Sequence, residues 1–261
     1  MAGLGAIGTR VVEALDRGID GLVLAAVSAQ NPAKHRARLD ELKKPARFLP
    51  IEALADVADI VVECAPSTLM RSIVAPFVAN GKIAVVLSAG ALLENEDLVE
   101  LAKQHGGQIV VPTGALIGLD AVTAAAVGKI YSVRMITRKP VRGLAGAPYI
   151  VENNIDIETI TGARKIFDGT AREAAKGFPA NVNVAVALSL AGIGPDLTRI
   201  EIWADPTLTR NTHRIEVESD SASFSMAIEN VPSENPKTGV ITALSVIAYL
   251  RKLRTSLRVG T

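Results

Sequence analysis

Three glycines stand in the run Gly3-Leu4-Gly5-Ala6-Ile7-Gly8, a G-x-G-x-x-G spacing. Glycines so spaced let a chain turn tightly out of a strand, bring its backbone against a dinucleotide pyrophosphate and open a helix beneath it. Alone the pattern is weak, since a tight turn with no ligand would read the same. Its surroundings strengthen it. Val11, Val12, Ala14 and Leu15 give the next segment a helical apolar face. Ser28 then closes the following apolar run, where the residue that judges the ribose 2′ position should stand. Gly3, Gly5, Ala6, Ile7, Gly8 and Ser28 are thus the expected cofactor-binding residues of this region. NAD-selective loops carry Asp or Glu at the ribose, whereas this chain reads Ser28-Ala29-Gln30-Asn31-Pro32, followed by Lys34, His35, Arg36 and Arg38. With no carboxylate to repel a 2′-phosphate, the run favours NADP or dual use of NAD and NADP; alternatively the basic residues are a solvated helix face. Only Met1 and Ala2 precede the glycines. A leading strand cut this short would leave ladder groups of its neighbours unpaired, so either a weakened fold or a native chain with a longer N-terminus is expected.

The elements that must hold such a loop are visible along residues 1–112. "LVLAAVS" (22–28), "ADIVVECAP" (58–66), "KIAVVLSAGAL" (82–92) and "QIVVPTGAL" (108–116) are apolar runs suited to buried parallel strands. Helical patterns separate them, the last closed by Gly106 and Gly107, so βαβ units and a Rossmann-type parallel sheet are predicted. Beyond residue 115 the texture changes. "YSVRMITRKP" (131–140), "LTRIEIWADP" (197–206) and "THRIEVESDSASFSMAIEN" (212–230) alternate apolar and polar positions, the last as two strands joined near Asp220-Ser221. Residues 168–194 read as a helix, a break at Pro179 and a very apolar helix. The expected fold is α/β. A dinucleotide-binding domain (1–112) has the C-terminal helix (237–261) packed back on it, and an α+β domain with a largely antiparallel sheet (113–236) binds substrate. The open face of that sheet, with Ile202, Trp203 and Phe224, would suit a homodimer interface.

Composition narrows the class. Of 261 residues 49% are apolar but only 3% aromatic, so a large aliphatic core is expected. A net charge of +1 with no basic run leaves no footprint for nucleic acid. The single cysteine, Cys64, excludes an intramolecular disulfide and reads as a buried small hydrophobe. No leader pattern opens the chain and no apolar run could span a bilayer, so a cytoplasmic protein without membrane partners is expected. The three histidines are scattered and no metal site is suggested.

Polar clusters lie in the second half: "PTGALIGLDAV" (112–122), "TRKP" (137–140), "FPANVNVAVALSLAG" (178–192), "DPTLTRNTHRIEV" (205–217) and "ENPKTG" (234–239). With the N-terminal glycines, this ordered set resembles the L-aspartate dehydrogenase family over essentially the whole chain, "FPANVNVA" and the later "RN-x-H" being its more specific phrases. The resemblance implies NAD(P)-dependent oxidative deamination of L-aspartate to iminosuccinate, which hydrolyses to oxaloacetate and ammonia, and the reverse amination. In some organisms the iminosuccinate feeds pyridine nucleotide biosynthesis. By that likeness His213 matches the active-site histidine, and Asn183 a nicotinamide-side contact. The segment from Thr113 through Gly114 and Ala115 to Ile117 matches the other cofactor contact region. The family commonly has serine before that glycine and often alanine where Ile117 stands.

The chemistry asks for the same residue types. Hydride removal from an α-amino acid needs a neutral amine, hence a base working near neutral pH, and histidine is the side chain suited to that. His35 falls near the presumed adenosine end and His105 on a polar helix end; His213 stands among Asn211, Thr212 and Arg214. Two substrate carboxylates need cationic or hydroxyl partners, for which Lys139, Lys237 and Thr238 are the candidates. Arg138 and Arg210 are weaker, because strand alternation points Arg138 away from the face of Lys139. Two other readings remain: an imine or dihydrodipicolinate-type reductase, and a dinucleotide sensor without turnover.

Overall fold

The computed structural model describes residues 1–180, 182–233 and 239–260. The chain forms two compact units, Met1–Gly114 with Thr242–Arg258, and Ala115–Ile241 with the residues from Val259 onward.

The first unit holds the strands β1 (Ala26–Val27), β2 (Arg47–Phe48), β3 (Ile60–Glu63), β4 (Ile83–Val86) and β5 (Gln108–Val110). Its helices are α1 (Ala6–Arg17), α2 (Pro32–Asp40), α3 (Met70–Val78), α4 (Ala89–Leu92) and α5 (Asp97–His105). β1 pairs with β2, and β4 with both β3 and β5, all in parallel. Residues 1–3 join the two groups. Gly3 N donates to Ser28 O at 2.8 Å and Ser28 N to Met1 O at 2.8 Å on one side. On the other, Ala2 N donates to Val62 O at 3.0 Å and Cys64 N to Ala2 O at 2.7 Å. The order β2, β1, residues 1–3, β3, β4, β5 is the 3-2-1-4-5-6 arrangement of doubly wound dinucleotide folds. The ladder groups of Ser28, Val62 and Cys64, expected to be orphaned, are therefore paired by the short segment ahead of the glycines.

The strands are shorter than the apolar runs that announced them. Residues 89–92 of the third run wind into α4, and the fourth ends at Val110 ahead of Pro112, which has no N–H for a ladder. α2 starts where Asn31 accepts a hydrogen bond from Lys34 N at 3.3 Å with Pro32 in the first helical turn. Aliphatic side chains fill the interior: Val11, Val12, Val27 and Val85 form a cluster that also takes in Val246, Ile247 and Leu250 of α10 (Val240–Lys252).

In the second unit β6 (Ile130–Lys139), β7 (Arg164–Thr170), β8 (Arg199–Ala204), β9 (Thr212–Ser219) and β10 (Ser223–Glu229) form a sheet in the order β10-β9-β6-β8-β7. Every pair is antiparallel except β6 with β8. The helices are α6 (Leu119–Ala125), α7 (Pro148–Glu152), α8 (Ala171–Gly177) and α9 (Asn183–Ala191). Val133, Met135, Ile200, Ile202, Ile215 and Val217 bury one sheet face in the core. Tyr149, Phe167 and Phe178, with ring centroids 5.2–5.6 Å apart, form an aromatic cluster in a mainly aliphatic interior. The opposite face is polar: Arg134 pairs with Glu201 and Arg214 with Glu216, and Arg138 lies over the Trp203 ring at 5.2 Å. Two expectations need correction. Ile202 is fully buried and Phe224 packs against the core, so only Trp203 of the three lies on the open face. Neighbours along a strand point to opposite sides, so Ile202 and Trp203 cannot share one. The segment 168–194 also begins with β7 rather than helix, up to Thr170, whose side chain caps α8 in a capping box with Glu173.

Among the described residues no helix is long and apolar enough to cross a membrane, and no group of three or more His, Cys, Asp or Glu could hold a metal ion.

Candidate functional site

Each glycine of the first turn has a distinct physical reason. Gly3 has φ +101°, and a Cβ there would strike the carbonyl of Cys64. At Gly8, buried inside α1, a Cβ would strike the carbonyl oxygen of Gly3. Gly5 differs: nothing lies within 4 Å of a Cβ position, so its backbone faces open space. It is the N-cap of α1, and no side chain caps that helix. Gly5 therefore fronts the N-terminus of α1, where first-turn N–H groups, those of Ala6 and Ile7 among them, would face an anion. Turn, open approach and close packing are the three roles that a dinucleotide loop demands, so the residues present fit the cofactor.

Around this turn the structure gathers Ser28, buried at the end of β1 and bonded through its carbonyl to Gly3. Lys34, Arg36 and Arg38 are exposed on α2 beyond it, and His35 is half-buried. It also gathers a residue the sequence reading passed over. Glu63, the last residue of β3, is fully buried and accepts hydrogen bonds from Ala65 N, Leu87 N, Ser88 N and Ser88 Oγ at 2.9–3.1 Å. Burial pushes its carboxyl above the usual range, and the bonds from Ser88, Leu87 and Ala65 oppose that. The signal was a single charge inside the apolar run "ADIVVECAP". Cys64 beside it has its thiol pushed up by burial and then by Glu63, which suits an inert small residue.

The second unit assembles the other candidates on the core face of its sheet. His213 on β9 stands opposite Thr137 on β6, and Thr137 Oγ1 lies 2.7 Å from His213 Nδ1. Lys139 is two residues along β6 on the same face, and all three side chains are buried. Burial first, and the nearby Lys139 ammonium second, lower the His213 pKa to about 3. The free imidazole is therefore neutral at physiological pH. Thr137 escaped notice in "TRKP", although two-residue alternation with Lys139 was a usable signal.

That shift fixes a sign. An unfolded chain would protonate His213 below pH 6.5, its ordinary value, whereas the folded chain resists down to about 3. Stability contributed by this residue is therefore complete above pH 6.5 and is lost as pH falls, by at most about 1.4 kcal/mol per pH unit. His213→Gln should flatten the pH dependence of urea unfolding between pH 6.5 and 4 relative to the parent; parallel curves would contradict the burial of this ring.

Other expected residues are placed more loosely. Gly114 (φ +65°) donates its N–H to Ser245 Oγ at 3.1 Å, and Ala115 O accepts from Asn230 Nδ2 at 2.9 Å. Asn230 is buried, and its Oδ1 has no hydrogen-bond partner among the described residues. Ile117 lies in the loop before α6, and Asn183 opens α9. Arg138 is on the far sheet face and Arg210 lies 4.0 Å from Glu229, away from the buried group. Lys237 and Thr238 lie outside the described residues.

A doubly wound unit with this glycine turn, joined to a unit that buries a histidine and a lysine on an antiparallel sheet, defines a nicotinamide-dinucleotide oxidoreductase. Comparison with known proteins agrees. The family model described as the NAD-binding domain of homoserine dehydrogenase matches residues 3–112, and that described as the aspartate dehydrogenase C-terminal domain matches residues 120–253. An L-aspartate dehydrogenase of Bradyrhizobium diazoefficiens is 67% identical over 261 residues, covering 100% of this chain and 93% of the relative. L-aspartate dehydrogenase 3 of Bordetella bronchiseptica is 55% identical over 262 residues, covering 100% and 96%. The crystal structure of aspartate dehydrogenase from Thermotoga maritima superposes with a TM-score of 0.76 over 99% of this chain and 97% of that one; at 24% identity it speaks for the fold. The chain belongs to the L-aspartate dehydrogenase family.

Proposed function

We propose that this chain interconverts L-aspartate and iminosuccinate, the latter hydrolysing to oxaloacetate and ammonia. The observation that carries the reading is the buried His213–Thr137–Lys139 group, in a chain 67% identical to an L-aspartate dehydrogenase. A dinucleotide held at the turn of Gly3, Gly5 and Gly8 would supply the hydride chemistry, accepting hydride in deamination and donating it in amination.

The chain's own residues do the rest. Lys139 offers a buried ammonium to one substrate carboxylate, a charge-assisted pairing that a low-dielectric setting strengthens. Thr137 occupies Nδ1 of His213, so with the ring hydrogen donated to Thr137 the Nε2 lone pair is left to take a proton from the substrate's ammonium group. A carboxylate against Lys139 offsets one of the two causes that keep His213 from accepting a proton. The base is thereby strongest when a dicarboxylate is bound. Asn183, Gly114, Ala115 and Ile117 supply the remaining cofactor contacts, and Lys237 and Thr238 complete the substrate set, on the family likeness. Purified protein should reduce the oxidised cofactor with L-aspartate and far more slowly with L-alanine, which lacks the second carboxylate. Equal rates would refute the assignment.

At the ribose the absence of a carboxylate near Ser28 supports NADP use alongside NAD. Ser28→Asp should shift the NAD-to-NADP ratio of kcat/KM toward NAD by about tenfold, the size of one like-charge contact with a 2′-phosphate. An unmoved ratio would place the selecting residues elsewhere. The polar sheet face bearing Trp203, Arg138 and the barely exposed Glu201 supports a homodimer, which light scattering on the purified protein would test. The single, half-buried thiol fits a cytoplasmic enzyme of small molecules.

A further inference from the structure

Glu63 is a charge placed inside the parallel sheet of the first unit. It ends β3, it is fully buried, and its hydrogen-bond partners among the described residues are N–H and O–H groups. Its Oε1 accepts from Ala65 N at 3.1 Å and Ser88 Oγ at 3.0 Å; its Oε2 accepts from Leu87 N at 3.1 Å and Ser88 N at 2.9 Å. One carboxylate thus ties the turn after β3 to the turn after β4. Both turns lie at the carboxyl ends of parallel strands beside the glycine loop: Cys64, next in the chain, bonds to Ala2, and its carbonyl is what a Cβ on Gly3 would strike.

In open parallel sheets the dinucleotide lies across these strand ends, at the point where strand order reverses. Residues 1–3 mark that point, with β1 and Ser28 on one side and β3 and β4 on the other. The adenosine ribose belongs to the Ser28 side, which leaves the β3–β4 side to the nicotinamide half. An oxidised nicotinamide ring is a cation and a reduced one is neutral. A fixed negative charge in a site of low dielectric acts on the first and not on the second.

We propose that Glu63 tunes the cofactor site: it holds the turns after β3 and β4 as one wall, and its negative charge favours the oxidised dinucleotide over the reduced one. The partners suit the ionised form. Three backbone N–H groups and a hydroxyl converge on the two oxygens, and a protonated carboxyl would bring a fifth hydrogen into a shell of donors. A purely structural plug at this position would be better served by an apolar residue, since a buried charge opposes folding.

The test is calorimetric titration of oxidised and reduced dinucleotide separately, with no substrate present. In Glu63→Gln the ratio of the oxidised Kd to the reduced Kd should rise about fivefold relative to the parent, as expected for loss of one charge acting on a cation through a partly hydrated site. Ser88→Ala, which removes one bond and keeps the charge, should weaken both forms alike and leave the ratio in place. Ala65→Lys adds an opposing charge on the same half-buried turn and should move the ratio as Glu63→Gln does; it serves if melting curves show that Glu63→Gln does not fold. An unchanged ratio in the charge variant that folds, whatever its absolute affinities, overturns the proposal. The inference rests on dinucleotide binding and not on the aspartate reading. Intact binding without aspartate turnover would defeat the latter alone.

Discussion

His213→Ala should lower kcat for aspartate deamination by about 10²–10⁴-fold, the range that a positioned acid–base group supplies, while the Kd for dinucleotide stays within about twofold of the parent. The split is expected because His213 belongs to the second unit and the glycine turn to the first, so removing the imidazole leaves the turn intact. The truncation leaves a cavity where the buried ring stood, so a melting curve of the variant accompanies the rates and separates lost chemistry from lost fold. Steady-state rates with titration of reduced dinucleotide by fluorescence would check both halves. Activity retained within about threefold would show that the base is another group and would return His213 to a structural role.

The second large effect separates two glycines that the motif treats alike. Gly5→Ala should leave the melting temperature unchanged or slightly raised, because φ is −71° and the Cβ enters empty space. It should nevertheless weaken dinucleotide binding by tenfold or more, about 1.4 kcal/mol, since that space is where a pyrophosphate must approach. Gly8→Ala should do the reverse in order of cause. Its Cβ meets the backbone carbonyl of Gly3, which no rotamer can relieve, so stability falls by about 1–3 kcal/mol and binding is lost as a consequence. Thermal melts with and without cofactor would distinguish the pair. Equal melting temperatures for the two variants, or unimpaired binding by Gly5→Ala, would contradict the assignment of roles within the turn.

Much of this architecture could be read from residue order because its signals are local. The glycine spacing, the apolar runs at Val61–Val62 and Ala84–Val86, and the alternation through β6 and β9 each report on a few neighbouring residues. Arg138 and Lys139 were correctly assigned to opposite sheet faces for that reason. What was missed depends on partners distant in the chain. Thr137 matters because β9 brings His213 opposite it, 76 residues away. Glu63 matters because Leu87 and Ser88, a strand further on, turn their N–H groups toward it. β2 is too short, at two residues, to show a period, and β7 was hidden by Thr170, Ala171 and the helix-forming residues after them. Ile202 lies on the core face by the same alternation that separates Arg138 from Lys139.

The measurement that bears most directly on the account is oxidation of NADH and of NADPH, followed separately, by purified protein given oxaloacetate and ammonium. Absorbance loss is expected only when oxaloacetate and ammonium are both present, with at least one of the two cofactors. Absorbance loss with oxaloacetate alone would mark a reductase of carbonyls. No loss with either cofactor, from folded protein shown to bind dinucleotide, would contradict an aspartate dehydrogenase.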